Sequence, residues 1–374
     1  MNSKNNLFIQ RQTRLASALA NSKFTALALN PGPSLIYLTG LHFHLMERPV
    51  VAIFTPGSPP TLIIPELEAA KVSGLPYPLN VFTYGEDPEK WLETFDQAAK
   101  TTGTAGKTVG IEPTRLRLLE FRFLKMAAGN ARFQSAETIL SELRIRKDES
   151  EIAALRQAAV IAQRALQATL PLIKPGLTER QIASMLTIQL YQQGSDPEFS
   201  FTPIVSSGPN SANPHAVPSD RELKAGDLLV IDWGAMAQGY TSDITRTFAI
   251  GEVDEEFSRI AKIVEESNTA ARKIVRHGIK AEEIDQAARR VIEEAGYGAY
   301  FIHRTGHGLG MEGHESPYIR AGNQLILEPG MVFTIEPGIY LPGRGGVRIE
   351  DDIVVKAGGS ESLTDLPRQL ITLP

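Results

Sequence analysis

Hydrophobic positions fall into two regimes along this chain. Over the first 135 or so residues, short apolar runs at Phe24 to Leu29, Pro49 to Phe54, Thr61 to Ile64, Val81 to Tyr84 and Thr108 to Ile111 alternate with stretches near 66–73, 89–101 and 115–128 patterned as amphipathic helices. That alternation predicts a layered α/β domain. Turn-forming clusters at Asn30-Pro31-Gly32-Pro33, Pro56-Gly57 and Pro59-Pro60 punctuate it, as reversals between short elements require.

The texture changes at Leu143-Arg144-Ile145-Arg146-Lys147-Asp148. Beyond it Ile152, Leu155, Ala159, Ala162, Leu166 and Leu170 recur at steps of three and four, one face of a long amphipathic helix. Asp148 can cap that helix with Glu151 three residues on, and Thr178-Glu179-Arg180-Gln181, after Pro175-Gly176, is a second capping box. Two more helical patterns occupy about 254–276 and 281–295, the latter stopped by Gly296. The boundary falls between 136 and 148, which predicts domains over 1–140 and 141–374. A length of 374 residues, at roughly 150 per domain, leaves room for two or three cores.

Composition removes whole classes of function. Apolar residues make up 42% and charged ones 22%, the usage of a folding globular chain. The net charge of −5 gives no basic field to collect phosphates, so nucleic acid is not an expected partner. Without cysteine there are no disulfides, thiolate metal sites or Cys nucleophile. The N-terminal segment does not read as a secretory signal, and no stretch of about 18 apolar residues occurs. The expectation is a soluble, cytoplasmic protein with no membrane partner.

Chemistry concentrates in a weak internal repeat. Residues 224–234, KAGDLLVIDWG, align with 328–338, EPGMVFTIEPG, matching Asp232 to Glu336 and Gly234 to Gly338. Each copy is followed by a second β-rich run with its own acid, Asp243 in TSDITRTF and Glu350 in VRIEDDIVV. Two related hairpins would gather four carboxylates around a pseudo-twofold axis. Taken alone, Asp232 is more often a turn former than a ligand, and Glu350-Asp351-Asp352 reads equally as a solvated edge. Independent turn formers, however, have no reason to place acids equivalently in two copies. Four clustered carboxylates must either protonate or be neutralised by cations, and two divalent ions supply four charges. Such ligands with one imidazole suit Mn²⁺, with Co²⁺, Fe²⁺ and Zn²⁺ as alternatives.

The imidazoles lie in HRTGHGLGMEGHE, residues 303–315, where His303, His307 and His314 sit among four glycines. That density of glycine argues against a helical zinc pair and allows backbone to come close to a ligand. Gly308, Gly310 and Gly313 formally spell a dinucleotide fingerprint, but no helix pattern follows and Pro317 intervenes. His42 and His44 lack a nearby acid cluster and read as surface or packing residues.

Residues 150–365 resemble the pita-bread metallopeptidases, the family of methionine aminopeptidase, aminopeptidase P and prolidase. The resemblance implies an α+β catalytic domain with a pseudo-twofold repeat, in which Asp232 chelates one metal, Asp243 and Glu350 bridge two, and His307 with Glu336 holds the other. Residues 1–135 are similar to the α/β N-terminal domain of the creatinase and prolidase branch, on Tyr37-Leu38-Thr39-Gly40 and the strand–helix alternation. His215, in NPHAVPS seventeen residues before Asp232, matches an active-site histidine of the family. His303 and His314 match the extra histidines of proline-specific members, and Arg348 matches a family arginine near the metals. Methionine aminopeptidases generally lack the N-terminal domain and creatinase lacks the metal ligands, so both fit less well.

By this resemblance the chain is a homodimeric Xaa-Pro dipeptidase acting on short proline-containing peptides. Glu336 would carry the water proton to the leaving nitrogen, and His314 with His303 would stabilise the oxyanion. Three alternatives stand beside it: an Xaa-Pro aminopeptidase for longer peptides, a non-catalytic peptide-binding protein, and a hydrolase of small non-peptide substrates.

Overall fold

The computed structural model describes residues 2–199 and 201–374. They divide into two units, Met1–Leu143 and Arg144–Pro374. In the first, strands β1 (Ala26–Leu29), β2 (Val51–Phe54), β3 (Thr61–Pro65), β4 (Asn80–Tyr84), β5 (Thr108–Ile111) and β6 (Arg132–Ser135) form one mixed sheet in the order β4-β3-β2-β1-β5-β6. The first three are buried along their whole length, which is why they read as unbroken apolar runs rather than alternating ones. Helices α1 (Asn2–Ala20), α2 (Pro33–Thr39), α3 (Trp91–Thr102), α4 (Leu118–Ala127) and α5 (Glu137–Arg144) accompany the sheet. Trp91 and Phe95 of α3 and Phe123 of α4 pack on Ala28, Ile53 and Ile63.

Two local expectations change here. The stretch near 66–73 is a 3₁₀ helix, Glu66–Val72, with no buried residue, so its apolar spacing serves no core. The Asn30-Pro31-Gly32-Pro33 turn leads straight into α2, because Pro33 occupies the first turn, where a missing N–H costs nothing. Gly40 closes α2 in the left-handed conformation at φ 72°, and a Cβ there would meet the Phe8 ring at 2.5 Å. His42 and His44 are exposed and lie outside any strand.

The second unit runs twice through two helices and a sheet. Helices α6 (Glu149–Thr169) and α7 (Glu179–Gln192) precede β7 (Ile204–Ser207), β8 (Leu228–Trp233), the short ribbon β9 (Met236–Ala237) and β10 (Tyr240–Thr241), and β11 (Ile244–Ile250). Helices α8 (Glu255–Ile274) and α9 (Ala281–Glu294) precede β12 (Gly306–Gly308), β13 (Glu315–Ile319), β14 (Val332–Ile335), β15 (Gly338–Leu341), β16 (Gly345–Arg348), β17 (Asp351–Lys356) and β18 (Gly359–Ser362). A last strand, β19 (Ile371–Leu373), returns to pair with β11. The sheets are ordered β19-β11-β8-β7 and β13-β12-β14-β17-β18, with β15 and β16 as a separate hairpin.

Both capping boxes form: Asp148 accepts from the Ser150 and Glu151 amides, and Thr178 accepts from that of Gln181. Ala162, Leu166, Ile182 and Leu186 of the first helix pair pack on Leu229, Ile231 and Trp233. Ile260, Val264, Ile284 and Ala288 of the second pack on Phe333, Ile335 and Ile353. Among the described residues no helix is long and apolar enough to cross a membrane.

Strand register shows the repeat to be inexact. Asp232 faces Thr245 across β8 and β11, whereas Ile335 faces Asp351 across β14 and β17, so one step further Glu336 would face Glu350. The first-copy equivalent of Glu350 is therefore Thr245, and Asp243 lies two residues earlier. Because side chains alternate with a period of two, that displacement keeps Asp243 on the same side of the sheet.

Candidate metal centre

The backbone delivers each acid differently. Asp232 lies within β8, Asp243 just before β11, Glu336 just after β14 and Glu350 between β16 and β17. An isolated bridge, Thr245 to Glu350, joins the two sheets at this point. Close backbone approach requires glycine nearby: a Cβ on Gly306 would sit 1.8 Å from the Thr334 carbonyl oxygen. His307, at the centre of β12, is thereby brought against the acids.

Ligand-capable atoms form overlapping groups, each within 4.8 Å: Asp232, Asp243 and Glu350; His307, Glu336 and Glu350; and Asp243, His307 and His314. His307 Nδ1 lies 3.2 Å from the Gly308 carbonyl oxygen and so carries the proton, leaving the Nε2 lone pair toward the acids. Nε2 is 3.6 Å from Asp243 Oδ2 and 3.5 Å from Glu336 Oε1, too far for good hydrogen bonds and suited to a shared cation.

Burial sets the electrostatics. It pushes the Asp243 carboxyl well up, with Glu350 and Asp232 adding like-charge repulsion. Burial does the same to Glu350, reinforced by Glu336 and Asp232, and lifts Glu336 to about 7 against the opposing charge of Arg348. Asp232 is raised by burial despite its ion pair with Arg348, and its Oδ1 is buried with no hydrogen-bond partner. An orphaned buried carboxylate oxygen is costly and rare in folded chains. Asp232 also shares a group of ligand-capable atoms with Asp243 and Glu350, so these residues fit a divalent cation.

Each half is oriented by the other. Arg348 donates from Nη2 to Asp232 Oδ2 at 2.6 Å, from Nη1 to Tyr340 Oη at 2.9 Å and from Nε to Thr245 Oγ1 at 3.1 Å. The Thr245 hydroxyl in turn donates to Glu350 Oε2 at 2.6 Å. Asp352 accepts the Asp243 amide at 3.2 Å, and Thr334 Oγ1 accepts the His307 amide.

The remaining histidines divide by role. His303 Nδ1 donates to the Arg304 carbonyl at 2.7 Å, and Nε2 accepts from Tyr340 Oη at 2.8 Å. Burial and the Arg348 charge hold His303 down at about 3, so it is neutral with both nitrogens engaged. It has no donor left for an oxyanion, and the expected donation from His303 gives way to a supporting contact with Tyr340. His314 is exposed, its ring centroid 3.9 Å from that of His307, and its Nδ1 lies 3.2 Å from Arg304 Nη2. With Nδ1 accepting, the neutral ring carries its proton on Nε2, where it can be donated. His215 is exposed on the segment that follows β7, close enough to act electrostatically on Asp232, His303 and His314.

Sequence reasoning missed Thr245, Tyr340 and Asp352. Only Tyr340 carried a signal, as an aromatic four residues beyond Glu336 in a buried strand.

Known proteins share this architecture along nearly their whole length. The model for metallopeptidase family M24 matches residues 153–357, and that for the creatinase/prolidase N-terminal domain matches 11–146. A probable dipeptidase, PepE, of Mycobacterium tuberculosis is 36% identical, covering 98% of this chain and 97% of its own. An Xaa-Pro dipeptidase of Pyrococcus horikoshii is 35% identical over 97% of this chain and 99% of its own. The crystal structure of a prolidase from Thermococcus sibiricus superposes with a TM-score of 0.93 at 37% identity, covering 98% of this chain and 99% of that one. The second unit accordingly has the pita-bread fold. This chain belongs to metallopeptidase family M24, with a creatinase/prolidase N-terminal domain preceding its catalytic one.

Proposed function

We propose that the chain is an Xaa-Pro dipeptidase that hydrolyses the bond before proline in short peptides. The observation that carries this reading is the gathering of Asp232, Asp243, His307, Glu336 and Glu350 in overlapping groups of ligand-capable atoms, with Asp232 Oδ1 left unpaired. Membership in a metallopeptidase family implies divalent metal ions. In this reading there are two: Asp232 would hold one, His307 with Glu336 the other, and Asp243 and Glu350 both. Oxygen-rich ligands favour Mn²⁺, with Co²⁺, Fe²⁺ and Zn²⁺ as alternatives. When bound, such ions neutralise the acids, polarise a carbonyl and make hydroxide available near pH 7.

The chain's own groups supply the rest. Proline leaves as a secondary amine and must receive a proton, which Glu336 carries from the attacking water. His314, which is exposed, donates from Nε2–H to the oxyanion. Arg348 holds Asp232 in its ligand orientation, and Tyr340 and His303 hold Arg348. His215, on the rim, contacts substrate. The homodimeric state and cytoplasmic location implied by the family resemblance are part of this proposal.

The test is a panel of Xaa-Pro dipeptides, Xaa-Pro-Yaa tripeptides and creatine-like amides, assayed after exhaustive chelation and after adding Mn²⁺. Dipeptide hydrolysis that is lost on chelation and restored by Mn²⁺ is expected. Preference for tripeptides would make the enzyme an aminopeptidase, and hydrolysis indifferent to metal removal would overturn the reading.

A further inference from the structure

The Leu143-Arg144-Ile145-Arg146-Lys147-Asp148 run has no role in the chemistry so far, yet two of its cations converge on one carboxylate. Lys147 Nζ donates to Glu315 Oε1 at 2.6 Å, and Arg144 Nη2 donates to Glu315 Oε2 at 2.5 Å while lying 2.8 Å from Glu312. Lys147 and Arg144 are both buried. Ion pairs this deep add little net stability, because desolvation offsets most of the Coulomb gain. What the cluster holds in place matters more.

Both ends of the clasp are tied to the second unit's backbone network. On the cationic side, the Lys147 amide donates to the Gly330 carbonyl at 2.7 Å, Arg146 bridges Met331, and Asp148 caps α6. On the acidic side, Glu315 opens β13 opposite Gly308 of β12 and directly follows His314, at the end of a segment that contains Gly306, Gly308, Gly310 and Gly313. Glycine backbone has little conformational preference of its own, so such a segment needs outside constraint. The Glu315 carboxylate lies against Gly310, where a Cβ would come within 2.5 Å of Oε1. Gly310 in turn donates to the Glu312 carbonyl and accepts from the Thr241 amide at 2.9 Å. The cations therefore anchor the start of β13, and with it the turn over 309–314 that carries His314.

We propose that Glu315, clasped by Lys147 and Arg144, is a positioning residue that holds the glycine-rich loop so that the His314 imidazole faces substrate. The inference rests on the peptidase reading above. Glu315 itself touches no reacting group; its effect passes through His314, and a small misplacement of such a group is enough to slow a reaction.

A double-mutant cycle tests this in the metal-loaded, full-length protein. Glu315→Gln preserves shape and removes charge; it is expected to lower kcat/KM on an Xaa-Pro dipeptide by on the order of tenfold, with bound metal unchanged by elemental analysis. In a His314→Ala background the same change should cost nothing further, since the group being positioned is gone. An equal loss in both backgrounds, or full activity in folded Glu315→Gln protein, overturns the proposal. Should that variant not fold, Lys147→Met, which keeps the Arg144 pair, goes through the same cycle with the same expectations. If the metal-loaded wild type cleaves no Xaa-Pro substrate, the peptidase reading falls instead. The clasp is then judged by the His314 ring resonance in NMR: a shift on Glu315→Gln supports it, and an unmoved resonance overturns it.

Discussion

The two halves of the catalytic unit use the same plan with different parts. Each sets a helix pair on a sheet and offers two acids, but the first half pairs Asp232 with a threonine in register, where the second sets Glu336 toward another acid, Glu350. The orienting groups are exchanged crosswise: Arg348 of the second half holds Asp232 of the first, and Thr245 of the first holds Glu350 of the second. Duplication thus left the architecture common and made the chemistry complementary. Neither hairpin is a complete site.

The sharpest way to break the comparison is to remove one acid from each half. Asp243→Asn and Glu350→Gln should each cost at least about a thousandfold in kcat and reduce bound metal, because several kcal/mol of charge stabilisation disappear with the centre. Steady-state kinetics with elemental analysis checks this, and an active, metal-replete variant of either would remove that half from the centre. Next come the crosswise supports. Arg348→Met should lower activity by roughly a hundredfold and Thr245→Val by roughly tenfold, the range spanned by partners that orient metal ligands. Measured metal affinity should fall in the same order; if Thr245→Val costs more than Arg348→Met, the asymmetry drawn here is wrong.

A smaller effect concerns pH. Without metal the four acids have raised pKa values in the fold, with Glu336 at about 7, so between the ordinary carboxylate range near 4 and about 7 the folded state binds more protons than the unfolded one. Their contribution to stability is fully present at low pH and is lost as pH rises through that window. Glu315 and Asp351, lowered by their cationic neighbours despite burial, act oppositely but only at more acidic pH. Chelated protein should therefore lose Tm between pH 5 and pH 7 relative to protein loaded with Mn²⁺. Parallel Tm profiles would mean that the acids do not repel one another. Smallest are the helix caps of the first half: Asp148→Ala and Thr178→Ala should each destabilise by about 1 kcal/mol in denaturant unfolding, leaving the centre's activity intact.

What could be read from the sequence follows from these physical distinctions. The capped helices and buried strands were legible because periodicity and caps are local, and the four acids because the repeat aligned them. The 3₁₀ segment at Glu66–Val72 shows the limit: its spacing looks amphipathic, but none of its residues is buried. Helix α2 was hidden behind Pro31 and Pro33, which mark a turn and a helix start equally well. Thr245 and the closed hydrogen bonding of His303 were not legible at all. Each depends on a partner across a sheet, and no local pattern encodes which strand a hydroxyl will face.

Crosswise dependence has a structural consequence. A half released to drift would misalign ligands it does not itself carry, so a change at Arg348 is felt at Asp232, more than a hundred positions away, and a change at Thr245 at Glu350. The two segments are mutually obligate, and neither hairpin excised alone would keep its ligands oriented.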